Sequence, residues 1–220
     1  FDRKNKRLVC LDRVATPDFW DQQWSSFAQN RSDNSAKYYA NLTRHYLKPG
    51  SKMLEGGCGP GTKVKALQES GFSTTGIDFA EETIKRLKAS NLALDVHLGD
   101  VRSLPFEDDI FDGYWSLGVI EHFWEGYSKI IDEARRTLRK GGYLFLTFPH
   151  MSPARKLRAN MGRYESLPTN LTEAPEGFYQ FLLNRDLVIK ELESRDFKVL
   201  SKSSRGMDTG MIFDSKHLEN

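Results

Sequence analysis

The chain has 220 residues, of which 39% are hydrophobic and 28% charged, values typical of a globular domain rather than of a disordered or fibrous chain. Its 32 basic and 30 acidic residues leave a formal net charge of +2, without the strongly basic balance of nucleic-acid-binding domains. The two cysteines lack metal-ligand spacing, and no apolar run approaches the roughly 20 residues of a membrane span. We therefore expect a cytoplasmic protein with reduced thiols, no membrane span and no nucleic-acid partner.

The first fifty residues are predicted to form a helical extension. Residues 1–16 are polar and basic, and we expect a loosely held lead-in there. Aromatic residues three or four positions apart then predict an amphipathic helix over 17–27, followed by a polar break at 29–34. A second predicted helix ends at Lys48-Pro49-Gly50. The segment 1–50 would thus form an extension or lid beside the main domain.

Residues 51–220 show a regular alternation of strands and helices. The predicted strands cover 52–55, 73–78, 95–98, 111–116, 143–148 and 197–201, and the main helices cover 62–70, 81–89, 127–139 and 185–194. This alternation predicts βαβ units in an α/β, doubly wound, mostly parallel Rossmann-like sheet with helices on both faces. An irregular insertion at 151–181 follows the fifth strand. Ligands of such sheets bind at the carboxyl ends of the strands.

A glycine-rich segment, Glu55-Gly56-Gly57-Cys58-Gly59-Pro60-Gly61, connects the first predicted strand to its helix. Such a turn can present backbone N–H groups to a ligand. The dinucleotide fingerprint G-x-G-x-x-G fits poorly, because the third glycine comes one position early. The phosphate-binding loop fits poorly as well, because Thr62 precedes Lys63 and one helical residue turns a side chain by about 100°.

A third pattern, [DE]-x-G-x-G-x-G, accommodates every residue of the segment. It resembles the first motif of the class I S-adenosylmethionine-dependent methyltransferases, in particular the small-molecule group similar to quinone-biosynthesis enzymes. Three later segments resemble further motifs of that family in the same order: Gly99-Asp100-Val101, residues 111–123 and residues 138–146. Together the motifs span residues 52–150.

The resemblance implies a methyltransferase that binds S-adenosylmethionine and releases S-adenosylhomocysteine. The methionine part of the cofactor would lie against the glycine loop, formed by Glu55, Gly56, Gly57, Cys58, Gly59 and Gly61. The ribose would bind to Asp78 and the adenine would contact Phe79, Asp100 and Val101. The site beside the sulfonium would be lined by Ser116 and Leu117.

Two histidines follow predicted strands on the expected ligand side, and a histidine can accept a proton near neutral pH. His122 and His150 are therefore candidate bases for an acceptor that must lose a proton. Either side chain could instead pack or cap the turn in which it lies.

A metal is not expected. Some quinone-pathway O-methyltransferases of the family carry Glu-x-x-Glu-His after the fourth strand, whereas this chain has Gly118-Val119-Ile120-Glu121-His122. One carboxylate and one imidazole are too few ligands for a hard divalent cation.

The predicted acceptor is a small molecule, to be methylated on oxygen, nitrogen or carbon. Residues 116–119 do not match the [DNS]-P-P-[YF] tetrad of the family's enzymes that methylate nucleic-acid base amines. Acceptor binding is assigned to the extension and the insertion, whose aromatic residues are Trp20, Trp24, Tyr38, Tyr39, Tyr164, Phe178, Tyr179 and Phe181. The same side chains could instead belong to the hydrophobic core, the commoner role of such residues. Two alternatives stay open, a non-catalytic cofactor-binding or regulatory module and a nicotinamide-dependent oxidoreductase. The family's seventh, antiparallel strand would have to lie around 210–213 or outside this sequence.

Overall fold

The computed structural model describes residues 1–25, 34–90, 93–168, 171–205 and 208–214. The elements in chain order are β1 (Leu8–Leu11), α1 (Pro17–Ser25), α2 (Asn34–Tyr46), β2 (Lys52–Gly56), α3 (Thr62–Glu69), β3 (Ser73–Asp78), α4 (Glu81–Ala89), β4 (Asp95–Leu98), β5 (Phe111–Leu117), a 3-10 turn (Ile120–His122), α5 (Ser128–Thr137), β6 (Leu138–Pro149), α6 (Pro153–Asn160), β7 (Phe178–Leu182), α7 (Arg185–Glu193), β8 (Lys198–Arg205) and β9 (Asp208–Asp214).

A seven-stranded sheet forms the centre of the fold, with the strand order β4-β3-β2-β5-β6-β9-β8. The pairs from β4 to β6 are parallel, and β9 is antiparallel to both of its neighbours. This order confirms the predicted α/β, mostly parallel Rossmann-like architecture. The open question of the seventh strand is also answered, because β9 inserts between β6 and β8.

The sheet is buried on both faces, as parallel strands between helices must be. Successive residues of β5 belong to different core clusters, with Tyr114 on the face covered by α5 and α7 and Trp115 on the face covered by α2 and α3. The ring of Trp115 stacks on that of Phe145 of β6, with centroids 4.2 Å apart. The indole N–H of Trp115 donates to the Thr43 hydroxyl of α2 at 2.9 Å, so α2 is tied to the sheet by a buried polar contact.

The prediction of a loosely held lead-in over residues 1–16 is wrong. Strand β1 pairs antiparallel with β7 in a separate two-stranded sheet. The preceding turn is closed by the Asp2 carboxylate, which accepts from the Arg7 guanidinium at 2.8 Å. That guanidinium also lies 3.5 Å from the ring centroid of Phe181. The partner strand is about 170 positions away in sequence, which explains why local periodicity did not reveal the pair.

The insertion at 151–181 is also more regular than expected. It contains α6, whose N-terminus is capped by the Ser152 hydroxyl accepting from the Arg155 N–H, and β7. The prediction overlooked Ser152-Pro153, a capping residue followed by proline at the first helical position. In the extension, α1 begins at Pro17 as predicted, but its predicted end at residue 27 lies outside the described residues. The predicted polar break at 29–34 also lies outside the described residues, except for Asn34, where α2 begins.

Candidate active site

A cavity of about 350 Å³ opens at the carboxyl ends of β2, β3, β5 and β6, a size within the roughly 300–1,000 Å³ typical of small-molecule sites. Ten of the fourteen residues that the sequence assigned to the site line it: Glu55, Gly57, Cys58, Gly59, Asp78, Phe79, Asp100, Val101, Leu117 and His122. The topology therefore brings three of the four sequence motifs to one cavity, whereas the fourth, at 138–146, contributes no lining residue.

The glycine loop requires glycine at two positions for reasons visible in the structure. Gly57 has φ +73°, and a Cβ there would lie 2.5 Å from a methyl carbon of Val119. Gly59 has φ +47°, and its Cβ would lie 2.9 Å from the indole ring of Trp24. Both positions combine a left-handed backbone with close packing, so any side chain would be strained and would obstruct the cavity wall.

The sequence suggested that the loop presents bare backbone N–H groups to a ligand. In the structure, most of these groups are already hydrogen bonded within the protein. The N–H groups of Gly57 and Cys58 donate to the Ile77 carbonyl at 2.8 and 3.0 Å, and that of Gly61 donates to the Cys58 carbonyl. The Gly59 N–H donates to the Asp78 carboxylate at 2.8 Å. The loop is thus fastened to β3 and offers a ligand a smooth backbone surface rather than an anion cradle.

Asp78 ends β3 and is only 5% exposed. Its second carboxylate oxygen accepts from the Ala80 N–H at 2.9 Å. Burial raises the pKa of Asp78 and outweighs the opposing effect of these backbone N–H donors. Each oxygen can accept more than one hydrogen bond, so the side chain can hold the loop and still face a ligand in the cavity.

Asp100 is covered by Arg102. The guanidinium donates to both carboxylate oxygens at 2.7–3.1 Å, and the Arg102 N–H adds a bond at 2.8 Å. Partial burial raises the pKa of Asp100, but the hydrogen bonds from Arg102 outweigh it and the pKa lies below its ordinary value. The guanidinium lies 4.8 Å from the ring centroid of Phe123 and pairs with Glu125. Asp100 is therefore an ionised, immobilised carboxylate on the cavity wall.

His122 lies at the end of the 3-10 turn that follows β5. Its Nδ1 is 2.8 Å from the Tyr179 carbonyl of β7, and because a carbonyl only accepts, this nitrogen carries the proton. Burial lowers the pKa of His122 despite that bond, so the ring is neutral near pH 7 and Nε2 holds a lone pair. Nε2 lies 3.9 Å from the buried carboxylate of Glu121, another residue of the cavity wall.

Helix α1 contributes two indole rings to the cavity wall. Trp20 stacks on Trp24 with centroids 5.5 Å apart, and Trp20 also meets the rings of His122 and Tyr179 edge-on or tilted. No residue of α1 is fully buried. The helix is held at its middle by Asp21, whose carboxylate accepts from the N–H groups of Glu82 and Thr83 at 3.2 and 2.7 Å. Asp21 therefore caps the N-terminus of α4, where Ala80 provides no side-chain cap.

Four predicted site residues do not line the cavity. Gly56 packs behind it, where a Cβ would lie 2.3 Å from the Tyr114 hydroxyl, and Gly61 precedes α3. Ser116 is buried, and its hydroxyl has no hydrogen-bond partner among the residues described. His150 is buried beside Leu183, to which it forms a bridge. The structure thus places His150 outside the residues that line the cavity, and its role as a base stays a prediction.

The cavity wall also contains residues that sequence reasoning did not assign, including Lys63, Gly118, Thr147, Pro149 and Gln180. Thr147 and Pro149 lie at the carboxyl end of β6. They could have been predicted from the rule that ligands bind at the carboxyl ends of parallel strands. Trp20, Trp24 and Tyr179 line the cavity, in agreement with their candidacy as acceptor residues, whereas the other five aromatic candidates do not. In the described ranges no group of three or more His, Cys, Asp or Glu side chains could hold a metal ion, and no helix is long and apolar enough to cross a membrane.

Residues 54–146 match the model of a family described as a methyltransferase domain. Over 114 residues the chain is 30% identical to a probable S-adenosylmethionine-dependent methyltransferase of Mycolicibacterium smegmatis, covering 50% of this chain and 44% of the relative. Over 126 residues it is 34% identical to the probable tRNA methyltransferase 9B of Mus musculus, covering 52% of this chain but 27% of that protein. The chain thus spans less than half the length of these two relatives.

The fold is shared with solved structures at lower identity. A SAM-dependent methyltransferase of Methanosarcina mazei superposes with a TM-score of 0.66 at 22% identity, over 81% of this chain and 98% of the other. At this identity the likeness supports the architecture alone.

Proposed function

The chain belongs to the class I S-adenosylmethionine-dependent methyltransferases, and we propose that it transfers a methyl group from S-adenosylmethionine to a small-molecule acceptor. The observation that carries this proposal is a single cavity whose wall combines the glycine loop, Asp78 and Asp100 with the neutral imidazole of His122. The first three groups suit the cofactor, and the fourth suits an acceptor that loses a proton.

The residues present fit the cofactor. Side-chain atoms at Gly57 or Gly59 would fill the surface that the methionine part would contact. Asp78 can accept from ribose hydroxyls, and Phe79, Asp100 and Val101 offer an aromatic face, a carboxylate acceptor and an apolar contact for the adenine. Lys63, on the same wall, can pair with the cofactor carboxylate. When bound, the cofactor supplies an electrophilic methyl carbon on a positively charged sulfur.

The chain's own contribution to the chemistry is orientation and removal of a proton. Displacement at a methyl carbon needs the acceptor atom held in line, and fixed geometry contributes much of the rate. The rings of Trp20 and Tyr179 contact the His122 ring and each other, so the three rings form one cluster on the cavity wall. Nε2 of His122 is the atom that receives the acceptor's proton, since Nδ1 already carries one and is hydrogen bonded.

A small acceptor is favoured over a polynucleotide by the way the cavity is covered. Helix α1 lies over the glycine loop through Trp24, and β7 closes the adjacent side through Tyr179 and Gln180. We propose that α1, within the extension at residues 1–50, acts as a lid and that Asp21 attaches it to α4. A base in a folded RNA would have to displace that cover.

The test is a methyl-transfer assay with tritium-labelled cofactor. The chain is incubated in parallel with a fractionated small-metabolite pool and with bulk tRNA, and calorimetry measures the binding of S-adenosylhomocysteine and NAD. We expect label in the small-metabolite pool and binding of the sulfur compound. Label in tRNA alone would overturn the small-molecule acceptor. Binding of NAD but not of S-adenosylhomocysteine would overturn the methyltransferase itself. Binding of S-adenosylhomocysteine without methyl transfer to either pool would favour the regulatory module.

A further inference from the structure

A basic and apolar surface on α6 is not used by the proposed chemistry. Residues 151–164 contain four cationic residues and no acidic residue. In the middle of this segment the large side chains of Leu157 and Met161 are 60% and 58% exposed. They are the two most exposed large hydrophobic residues among the described residues. Leu157 lies in α6 and Met161 caps its C-terminus, and the spacing of four positions puts both on the same side.

The opposite face of α6 is firmly attached, so this exposure is a property of the folded protein. Ala159 is buried in a cluster with Met151 and Leu182, and Phe1, Leu8 and Tyr164 pack against that cluster. The Lys156 ammonium pairs with Asp186 of α7 at 3.0 Å. Helix α6 is thus held by its inner face and presents Ala154, Leu157, Arg158 and Met161 outward.

The charge around the two apolar side chains is positive on the helix and on the neighbouring N-terminal turn. Arg158 and Arg163 form no ion pair with any described residue. The turn at residues 3–6 adds Arg3, Lys4 and Lys6, all exposed, and it is fixed next to the α6 segment because Arg3 donates to the Ser166 hydroxyl at 2.7 Å. Exposed aliphatic side chains framed by Lys and Arg are the composition of helices that lie in a membrane interface.

We propose that the α6 surface, formed by Leu157, Met161, Arg158, Arg163 and the turn at residues 3–6, docks onto an anionic lipid membrane. The aliphatic side chains insert among the acyl chains, and the cations meet the anionic headgroups. A polynucleotide would use the cations but would gain nothing from Leu157 and Met161, because nucleic-acid surfaces are contacted by cationic and stacking aromatic side chains. A second copy of the chain would bring the same positive charge against itself.

The position of the surface connects it to the site. Helix α6 begins shortly after Pro149, a residue of the cavity wall, and the N-terminal turn leads through β1 to β7, which carries Tyr179. Docking at α6 would hold the catalytic domain at a bilayer without any membrane-spanning segment. Attachment of the protein to a membrane through α6 does not depend on which acceptor the cavity binds.

The test is sedimentation of the whole chain with vesicles. Phosphatidylcholine vesicles are compared with vesicles that also contain phosphatidylglycerol, at low and high salt. We expect binding to the anionic vesicles, weakened by salt because surface charge is screened. The double variant Leu157→Ser/Met161→Ser should bind at least about tenfold more weakly, and Arg158→Ser/Arg163→Ser should lose the preference for anionic lipid. All variants should keep the melting temperature and S-adenosylhomocysteine affinity of the parent, since these side chains lie outside the cavity.

The matched control is Leu98→Ser/Leu200→Ser, which removes two exposed leucines, 48% and 43% exposed, from strands β4 and β8. An equal loss of binding in this control would overturn the assignment to α6. Absence of binding to anionic vesicles would overturn the proposal directly. Binding to tRNA that requires Arg158 and Arg163 but not Leu157 and Met161 would reassign the surface to nucleic acid.

Discussion

Two walls of the cavity are held together by different forces. We call the glycine loop with Asp78 and Asp100 the proposed cofactor wall, and the side formed by Trp20, His122 and Tyr179 the proposed acceptor wall. On the cofactor wall, backbone N–H groups of the glycine loop donate to the Ile77 carbonyl and the Asp78 carboxylate, both on the adjacent strand. On the acceptor wall, α1, the 3-10 turn and β7 meet through the rings of Trp20, His122 and Tyr179, and the His122 ring is hydrogen bonded to the Tyr179 carbonyl.

This difference separates the two proposed tasks of the site, which are binding of the cofactor and binding of the acceptor. The cofactor wall comes from segments that the sheet places side by side, so its geometry follows from strand pairing. The acceptor wall comes from segments far apart in the chain and depends on side chains that can change without disturbing the sheet. We infer that substitutions on the first wall affect cofactor affinity and stability together, whereas substitutions on the second affect turnover or access.

The largest effect is expected from His122→Gln, which replaces a base on the acceptor wall by an amide that cannot take up a proton. Turnover should fall by about 10²–10⁴-fold if proton removal is needed in the transition state, with S-adenosylhomocysteine affinity unchanged. The exposed His97→Gln serves as the control and should keep full activity. Cofactor binding that fell together with turnover would contradict the separation of the two walls.

The pH profile tests the same residue in the parent protein. The base acts in its neutral form, and burial lowers the pKa of His122 below its ordinary value of about 6.5. Therefore kcat/KM should stay level down to about pH 6.5 and fall as the pH drops through the lowered pKa. A profile whose midpoint lies above 7 would show that another group titrates.

The next largest effect is expected from Asp78→Ala on the cofactor wall. It removes the acceptor for the Gly59 and Ala80 N–H groups as well as a ribose contact, and each such loss costs about 1–3 kcal/mol. Calorimetry should show weaker S-adenosylhomocysteine binding, and the melting temperature should fall in the same variant. Asp95→Ala, at the amino end of the neighbouring strand, is the control. A stable variant with unchanged affinity would remove Asp78 from the site.

Asp21→Ala should have a smaller effect, because it detaches the lid rather than changing the wall. Loss of an N-cap costs about 0.5–2 kcal/mol, so the helix α1 should open more often and S-adenosylhomocysteine should dissociate several-fold faster in stopped-flow experiments. Asp18→Ala in the first turn of the same helix should leave the rate unchanged. Equal rates in all three proteins would show that α1 does not control access.

The smallest effect is expected from Arg102→Ala, since the Arg102–Asp100 pair is about one third exposed on each side and exposed pairs contribute about 0–1 kcal/mol. Without the guanidinium the pKa of Asp100 should rise. Because the pKa is depressed in the folded parent, the pair's contribution to stability is present above the unfolded pKa of about 3.9 and is lost as the pH falls through the lower value. The parent and variant melting temperatures should therefore differ at neutral pH and converge in acid. A fall in melting temperature as large as that caused by Asp78→Ala would contradict the expected order of effects.

Much of the cofactor wall was predictable because its information is local. Strand, glycine loop and helix follow one another between residues 52 and 70, and the carboxyl-end rule then places Asp78 and Asp100 beside the loop without any knowledge of side-chain packing. The same rule did not indicate that His150 would be buried and would lie outside the residues that line the cavity, because the rule gives the edge of the sheet on which a residue lies but not its burial.

The sequence alone determined the α/β alternation, the order of the motifs and the position of the glycine loop, because hydrophobic period and glycine placement act over a few residues. The pairing of β1 with β7, the capping of α4 by Asp21 and the contact of His122 with Trp20 and Tyr179 were decided only by the tertiary structure. These contacts join segments that lie between about 60 and 170 positions apart. Nothing in a local pattern distinguishes the correct distant partner from the many others available, and only the closing of the whole sheet brings that partner within reach.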